Sequence, residues 1–411
     1  MILYYADNIE RAKFWIEVSR NFSSEFDSLF ITNELNVYLY LVAKGKKVIA
    51  IKEKGSKRLS RHDDNVVDIK RNYEVISGDT SIELAKKVVD ITIQSCSRID
   101  KTLVKYVFIW NGESLIAKTI FNEFKAFSKF RFFEISNFPG KVFVDSKGTN
   151  AQSKYFEDSS IVNKRLIDNE VEADFFNWKN KYLSTLQKPK QVKGKGGKLL
   201  LFSLLNESIK YFGYYILGFC KRADDSYINK VYRLYKFHNK KEIKSNYESS
   251  NISSEKINNY VFVPFQVSND TQVLVNSKIN NIDLILKAIE FSKNNNIQVV
   301  AKIHPAEENH EHIKQLYSIC NLNGVILKND CDSIELIKGA KVVFTINSTV
   351  GLQSKIMDKD VQIFGNAIYK YFNDIDMKVF ITRYLINVDY FRPQGFNKAE
   401  IKKIIELDNI F

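Results

Sequence analysis

The chain is poor in the residues that cross-link secreted proteins. Four cysteines occur in 411 residues, at positions 96, 220, 320 and 331, and none of them forms a Cys-x-x-Cys pair. The amino-terminal segment also shows no resemblance to a signal peptide. We therefore expect free thiols and a reducing, cytoplasmic setting.

Long hydrophobic runs are also missing. The longest apolar stretch, residues 199–219, is interrupted by Asn206, Glu207 and Lys210. A membrane-spanning helix needs about 20 predominantly apolar residues. The sequence therefore predicts a buried helix here, with an interfacial helix as the alternative.

Motifs for phosphate loops, metal sites and repeats are absent as well. The basic run at 193–198 lacks the Gly-x-x-x-x-Gly-Lys-Ser/Thr order and follows no strand, which predicts a flexible linker. His310 and His312 fall on different faces of a predicted helix, which argues against a shared metal ion. No carboxylate pair suited to Mg²⁺ stands out, and no repeat of about 20–50 residues is evident. We expect no metal and no cofactor.

What the chain has in excess is positive charge. Lys and Arg number 61 against 48 Asp and Glu, a formal net charge of +13, while 45% of the residues are hydrophobic. The apolar fraction predicts well-buried cores in a chain long enough for two or three domains. The charge favours an anionic partner, although the base composition of the source genome explains it equally well. Because no nucleic-acid motif is present, we expect no nucleic acid partner.

Short apolar strands alternate with helical patterns in two regions. Residues 1–160 and 259–390 both show this βα alternation, which predicts two Rossmann-like α/β domains with mostly parallel sheets, facing a cleft. Residues 161–258 instead show long helical patterns with Lys-rich breaks, which predicts a helical, basic insertion or linker. In residues 391–411 we expect a terminal helix that crosses back to the first domain.

Polar clusters follow three strands of the second region, at the point where each strand ends. They are residues 265–270, residues 302–305 and residues 347–351. Loops at the carboxyl ends of parallel strands meet at one edge of the sheet, where ligands bind. The sequence therefore predicts one site with a carboxylate, an imidazole and two hydroxyl groups.

These clusters supply four candidate functional groups. Pro305 keeps His304 in extended backbone, where its imidazole suits a phosphate oxygen. Ser348 and Thr349 precede a predicted helix, whose free N–H groups attract anions. Asp270 suits a general base or a nucleophile in sugar transfer. A strand-end histidine, helix caps and an Asn-Asp turn are the structural alternatives.

Polar residues also end strands of the first region. Asn111 and Gly112 follow one strand, Glu134 ends the next among phenylalanines, and a polar loop occupies 145–153. An apolar setting raises the pKa of a carboxyl group, which suits Glu134 to an acid/base role. A solvated loop glutamate is the alternative.

Taken together, these clusters resemble the bacterial capsule polysaccharide biosynthesis family. This family includes the β-Kdo transferases of capsule and lipopolysaccharide assembly, where Kdo is 3-deoxy-manno-octulosonate. The matching positions are Asn111, Gly112, Phe133, Glu134, Asp145, Gly148, Asn150, Ser153, Val263 to Gln266, Asn269, Asp270, Lys302 to Pro305, Glu307 and Asn347 to Gly351. They cover about 110–153 and 260–369 of the chain.

The resemblance implies a GT-B-type fold and a cytoplasmic, retaining transfer of Kdo from CMP-Kdo to a saccharide or glycolipid acceptor. It implies that Asp270 is the nucleophile and Glu134 the acid/base. The expected nucleotide- and phosphate-binding residues are Lys302, His304, Glu307, Asn347, Ser348 and Thr349. The expected donor- or acceptor-positioning residues are Asn111, Gly112, Asn150, Ser153, Gln266 and Asn269.

Several alternatives stay open at this point. Asp270 is also placed to be the base of an inverting reaction, and the donor is alternatively CMP-sialic acid or a UDP-sugar. A different class of function is a non-catalytic saccharide-binding subunit of an envelope assembly complex. A peripheral contact with the inner membrane or with envelope assembly proteins is open as well, because residues 161–258 match no motif.

Overall fold

The chain divides into two compact units. The computed structural model describes residues 1–53, 67–136, 138–186, 197–238, 258–393, 396 and 398–410. The first unit comprises 1–171, 189–241 and 379–411, and the second comprises 172–188 and 242–378. Residues 189–241 and the end of the chain, residues 379–411, thus group with residues 1–171.

A six-stranded sheet forms the centre of the first unit. Its strands are β1 (Ile2–Tyr5), β2 (Ser28–Thr32), β3 (Val48–Ala50), β4 (Tyr106–Trp110), β5 (Lys129–Ile135) and β6 (Val142–Asp145). The order is β3-β2-β1-β4-β5-β6. The first five strands are parallel, whereas β6 pairs antiparallel with β5. The predicted Rossmann-like sheet is therefore present, with one added antiparallel edge strand.

Helices cover both faces of this sheet. They are α1 (Ile9–Asn21), α2 (Leu35–Ala43), α3 (Tyr73–Ile76), α4 (Ile82–Cys96), α5 (Leu115–Phe124), α6 (Lys154–Glu157) and α7 (Ser159–Leu166). Asn8, Ser81 and Ser114 start α1, α4 and α5, since each side chain accepts a hydrogen bond from an N–H of the first turn. Trp15 on α1 and Phe133 on β5 pack edge to face in the core, with ring centroids 4.8 Å apart.

Three longer helices follow in the middle of the chain. They are α8 (Val171–Leu186), α9 (Gly197–Tyr215) and α10 (Tyr227–His238). The helical character expected of 161–258 is present where the structure describes it, while most of the basic run at 193–198 and residues 239–257 lie outside the described residues. The expected burial of the 199–219 helix was wrong, because Leu201 and Leu205 of α9 are 70% and 58% exposed. Among the described residues, no helix is long and apolar enough to cross a membrane.

A five-stranded parallel sheet forms the centre of the second unit. Its strands are β7 (Tyr260–Pro264), β8 (Val299–Lys302), β9 (Ile326–Leu327), β10 (Ala340–Thr345) and β11 (Asp360–Ile363), in the order β11-β10-β7-β8-β9. Its helices are α11 (Thr271–Asn276), α12 (Asn281–Asn295), α13 (His310–Leu322), α14 (Ser333–Gly339), α15 (Thr349–Ile356) and α16 (Asp374–Val379). Apolar clusters lie on both faces, so this is the second predicted Rossmann-like sheet.

The end of the chain packs on the first sheet. A π-helical turn (Phe380–Tyr384) precedes α17 (Lys398–Ile405) and α18 (Leu407–Ile410). Arg131 of β5 is fully buried and donates to the carbonyl of Ile405 at 2.6 Å and to Asp408 at 3.0 Å. A buried guanidinium needs such partners, so these contacts fix the carboxyl-terminal helices in the first unit.

Candidate functional site

The sheet of the second unit has a point where its strand order reverses. The chain runs from β7 to β8 and β9 on one side, and then to β10 and β11 on the other. Open α/β sheets bind ligands outside the carboxyl ends of the strands at such a point. The residues that follow β7 and β10 therefore define the candidate site.

Two buried amides join these strand ends. The Gln266 side chain donates to Asn347 Oδ1 at 2.9 Å and accepts from the Asn347 backbone N–H at 3.0 Å. The Asn347 amide also donates to the carbonyl of Gln272 at 2.7 Å. Gln266 and Asn347 are 6% and 8% exposed. Because the polar atoms of these two predicted site residues are paired within the protein, the residues hold the two strand ends together.

A third amide, which sequence reasoning missed, completes this arrangement. Asn281 is 2% exposed and donates to the carbonyl of Gln266 at 2.7 Å, while it accepts from the Gln266 N–H at 3.1 Å. The sequence around it indicates only a helix start, where Asn280 is the cap. We call Gln266, Gln272, Asn281 and Asn347 the amide network.

The start of α15 lies directly after the amide network. Ser348 caps this helix by accepting from the Val350 N–H at 3.2 Å. The Ser348 carbonyl accepts from the hydroxyl of buried Tyr369. A Cβ atom added at Gly351 would lie 2.5 Å from that hydroxyl oxygen, so a glycine is required there for close packing. Thr349, the first residue of α15, is exposed.

His304 lies on an exposed loop after β8. Its Nδ1 accepts a hydrogen bond from the Ala306 N–H at 3.1 Å. An accepting Nδ1 carries no proton, so the neutral ring holds its hydrogen on Nε2. This tautomer makes Nε2 the donor of the ring, as a contact with a phosphate oxygen requires.

Lys302 and Glu307, both predicted to bind nucleotide or phosphate, have partners within the protein. The Lys302 ammonium donates to the carbonyls of Asn329, at 3.1 Å, and Cys331, and burial lowers its pKa. Glu307 accepts from the Ser268 N–H at 2.6 Å and the Ser268 hydroxyl at 3.1 Å. These contacts hold the loops on either side of the candidate site.

Asp270 starts the short helix α11. One carboxylate oxygen accepts from the Gln272 N–H at 2.8 Å, so the residue is a helix cap, as in the structural alternative. The side chain is half-buried, and its neighbour Asn269 is exposed. Capping engages one oxygen of the carboxylate and does not exclude a chemical role for the other.

In the first unit the structure brings Asn111 and Glu134 together. Asn111 has a positive φ of 63°, and its side-chain amide donates to Glu134 at 2.6 Å. Gly112 follows with φ of 92°, and an added Cβ would lie 2.7 Å from the Phe132 ring. The left-handed turn thus orients Asn111 toward the carboxylate at the end of β5.

Residues 145–153 form a loop organised by a buried carboxylate. Asp145 is fully buried and accepts from the Lys147 N–H at 2.7 Å and from the Tyr384 hydroxyl at 2.7 Å. Ser153 caps α6 and donates to the Asn150 carbonyl at 2.6 Å. The two predicted positioning residues, Asn150 and Ser153, therefore shape this loop.

The structure also shows a cluster of charged side chains at the first sheet that the sequence did not predict. Asp7 follows β1 and lies 2.5 Å from Arg11 and 3.5 Å from Arg222. Glu74 lies 3.9 Å from Arg222 and accepts from the Leu115 N–H at 2.7 Å. Asp7 and Arg222 are more than 200 positions apart in sequence, so no local motif signals this contact.

Glu34, which follows β2, extends the same cluster. It accepts from the Tyr214 hydroxyl at 2.6 Å and lies 3.6 Å from Lys210. Burial raises the pKa of Glu34 and also that of Glu74. We call Asp7, Arg11, Glu34, Glu74, Lys210 and Arg222 the charged network.

Part of the chain is similar to a known protein family. Residues 213–372 match the family described as capsule polysaccharide biosynthesis protein. The capsule polysaccharide export protein KpsS of Escherichia coli is 32% identical over 119 residues, which cover 27% of this chain and 31% of KpsS. Protein FixF of Sinorhizobium fredii (strain NBRC 101917 / NGR234) is 33% identical over 123 residues, 27% of each chain. The matches thus span less than a third of either relative.

A solved structure is similar over the whole chain. The β-Kdo 2,7 transferase KpsC of Thermosulfurimonas dismutans is 13% identical, with a TM-score of 0.46, and the match covers 100% of this chain and 99% of that one. The family match includes the amide network, His304 and the start of α15. The resemblance predicted from the motifs is confirmed over residues 213–372, which match this family.

Proposed function

We propose that this protein is a retaining glycosyltransferase that moves Kdo from CMP-Kdo to a saccharide or glycolipid acceptor in capsule or lipopolysaccharide synthesis. The observation that carries the proposal is the position of α15, which begins at the strand-order reversal of a sheet inside the family-matched region. Such a helix start, after a parallel strand, is a common binding site for nucleotide phosphates.

The phosphate of the donor would lie against the first turn of α15. The dipole of the helix attracts an anion there, and the hydroxyl groups of Ser348 and Thr349 add donors. The Nε2–H of His304 supplies a further donor from the neighbouring loop. Beneath them, the amide network is neutral, so it presents no negative charge to the phosphate.

These donors would act on the leaving group. When the bond between the anomeric carbon of Kdo and the CMP phosphate breaks, negative charge develops on the phosphate oxygen. Donors already in place stabilise that charge in the transition state. No metal or cofactor has a part in the proposed reaction.

Two carboxylates would carry the covalent steps. Asp270 attacks the anomeric carbon and displaces CMP, forming a glycosyl-enzyme intermediate. The acceptor hydroxyl then attacks the same carbon, Glu134 takes its proton, and the bond to Asp270 breaks. Two inversions give net retention. The hydrogen bond from Asn111 supports this role for Glu134, because it fixes the orientation of the carboxylate.

A thermal-shift panel of the full chain with CMP, UDP or GDP tests the donor class. A ligand that binds only the folded state raises the melting temperature by mass action. We expect selective stabilisation by CMP, followed by CMP release when CMP-Kdo is supplied. A preference for UDP would redirect the proposal to a UDP-sugar donor, and no response to any nucleotide would contradict it.

A further inference from the structure

Helix α9 presents an apolar face to solvent. Leu201, Leu205 and Phe212 are 70%, 58% and 52% exposed, and Ile216, directly after the helix, is 67% exposed. The Ile216 N–H donates to the Phe212 carbonyl at 2.9 Å, which continues the helical turn. Spacings of four, seven and four residues place these four side chains along one side of an α-helix. We call these four residues the apolar stripe.

The opposite side of α9 faces the protein through both polar and apolar contacts. Asn206 accepts from the Asn36 amide at 2.7 Å, and Lys210 lies 3.6 Å from Glu34. Ile209 and Tyr214 pack on the apolar cluster of Leu35 and Phe219. A helix at a water-facing surface exposes a polar side, whereas the exposed side of α9 is apolar. This exposed side therefore indicates an apolar environment outside the protein.

Helix α10 extends the apolar surface. Ile228, Tyr232 and Tyr235 are 77%, 63% and 58% exposed, at spacings of four and three residues. At its start, the Tyr227 hydroxyl is 2.7 Å from Ser208 Oγ. Ser208 lies between Leu205 and Phe212 on the same side of α9, so α10 begins beside the apolar stripe.

The charges around this surface identify its occupant. Residues 197–238 contain seven Lys and Arg against three Asp and Glu, and Lys210, Arg222 and Arg233 of these pair with acidic side chains of the chain itself. The Lys221 ammonium lies 5.5 Å from the centre of the Tyr215 ring. Tyrosine rings and basic side chains beside an apolar face are typical of helices that lie in the headgroup region of anionic bilayers. A second copy of this chain would instead bring like charges together.

We infer that the apolar stripe and α10 dock on a membrane surface that contains anionic phospholipid. Leu201, Leu205, Phe212 and Ile216 enter the boundary between headgroups and acyl chains, while basic side chains contact lipid phosphates. The contact is peripheral, since neither helix spans the bilayer. It places the chain beside lipid-linked molecules, independently of which donor it uses.

Vesicle co-sedimentation of the full chain tests this inference. One set of vesicles is phosphatidylcholine alone, and the other contains about 30% phosphatidylglycerol. We expect binding to the anionic vesicles that weakens as salt is added. In the variant Leu205→Ser/Phe212→Ser, partition should fall at least about tenfold because less apolar surface enters the bilayer.

The control variant is Leu103→Ser/Phe127→Ser. It removes the same two side-chain types at 60% and 53% exposure, close to the 58% and 52% of the test pair, and it should bind as the wild type does. Equal binding by both variants, or no binding of the wild type to anionic vesicles, overturns the inference. So does self-association that only the Leu205→Ser/Phe212→Ser variant abolishes. Nucleotide stabilisation should persist in that variant, which separates this test from that of the proposed function.

Discussion

The two sheets have the same kind of strand-order reversal but opposite chemistry at it. In the first unit the reversal lies between β1 and β4, and Asp7, which follows β1, belongs to the charged network and lies beside Arg11 and Arg222. In the second unit, the residues after β7 and β10 are the neutral amides Gln266 and Asn347. The charged network leaves Asp7 Oδ1 and Glu34 Oε2 buried without a hydrogen-bond partner, whereas the polar atoms of the Gln266 side chain are both paired.

This difference bears on where an anion can bind. Carboxylates such as Asp7, Glu34 and Glu74 repel a phosphate, and their cationic partners are already engaged with them. The neutral amides fix the strand ends and add no negative charge of their own beside the start of α15. The fold therefore offers two equivalent edges, and side-chain chemistry favours the second for the donor phosphate.

The largest expected effect concerns the proposed nucleophile beside the amide network. Asn is as good a helix cap as Asp, so Asp270→Asn should fold normally and keep its contact with the Gln272 N–H. Transfer should fall at least about 10³-fold, because the amide cannot form the glycosyl-enzyme bond. CMP release from CMP-Kdo measures this, and stabilisation by CMP is the control for binding. Unchanged turnover would remove Asp270 from the mechanism.

The next effect tests the amide network itself. Asn347→Ala removes the Oδ1 acceptor of the buried Gln266 amide and the donor to the Gln272 carbonyl, while Gln266 Oε1 keeps the backbone N–H of residue 347. Leaving these buried groups without partners should cost about 2 kcal/mol of unfolding free energy. Urea unfolding measures the loss. Exposed Asn295→Ala is the matched control, with an expected change within about 0.5 kcal/mol. Equal losses of unfolding free energy in the two variants would show that the buried hydrogen bonds between Gln266 and Asn347 do not stabilise the fold.

A smaller effect is expected at His304. The variant His304→Ala removes one donor to the phosphate and should weaken CMP binding about tenfold, as a single hydrogen bond to a charged group predicts. Since His304 is exposed, the melting temperature without nucleotide should not change. Calorimetric titration with CMP measures the affinity, and exposed His310→Ala is the control. Identical affinity in both variants would refute the phosphate role.

The smallest effect lies in the pH dependence of the charged network. Burial raises the pKa of Glu34 and Glu74 above the ordinary 4.5, so the folded state holds their protons more tightly than the unfolded state. Their contribution to stability is therefore full below 4.5 and is lost as the pH rises through their folded-state pKa. The variant Glu34→Gln/Glu74→Gln should flatten the fall of stability with rising pH.

Urea unfolding between pH 4 and pH 7 measures this slope, followed by the fluorescence of Trp15 and Trp110 in the first core. Exposed Glu290→Gln, in the second unit, should leave the slope as in the wild type. If the double variant keeps the wild-type slope, burial does not raise the pKa of Glu34 and Glu74 in the folded state.

The sequence predicted most elements of both sheets because their patterns are local. Strand β4 and helix α14 are examples, since apolar runs and flanking polar residues define their ends. Strand β6 was missed because its four residues become a strand only by pairing with β5. The exposed side of α9 was also missed, because periodicity defines an apolar face without showing which way it points.

For the candidate site, the sequence predicted which polar residues lie near one another but not the contacts that each one makes. Polar residues after parallel strands do converge at the second sheet, as the pairing of Gln266 with Asn347 shows. Sequence could not divide these residues into those that bind ligand and those that hold the site together. That division depends on tertiary partners, such as the Ser268 contacts of Glu307, which lie 39 positions apart in the chain.

The most direct test of the central claim is amide hydrogen exchange of the full chain with and without CMP. The account predicts that CMP slows exchange at residues 348–352 and 304–307, around the start of α15 and the His304 loop, and leaves residues 7–12 of the charged network unchanged. Protection confined to residues 7–12, or none in either segment at saturating CMP, would contradict the assignment of the donor phosphate to the second sheet.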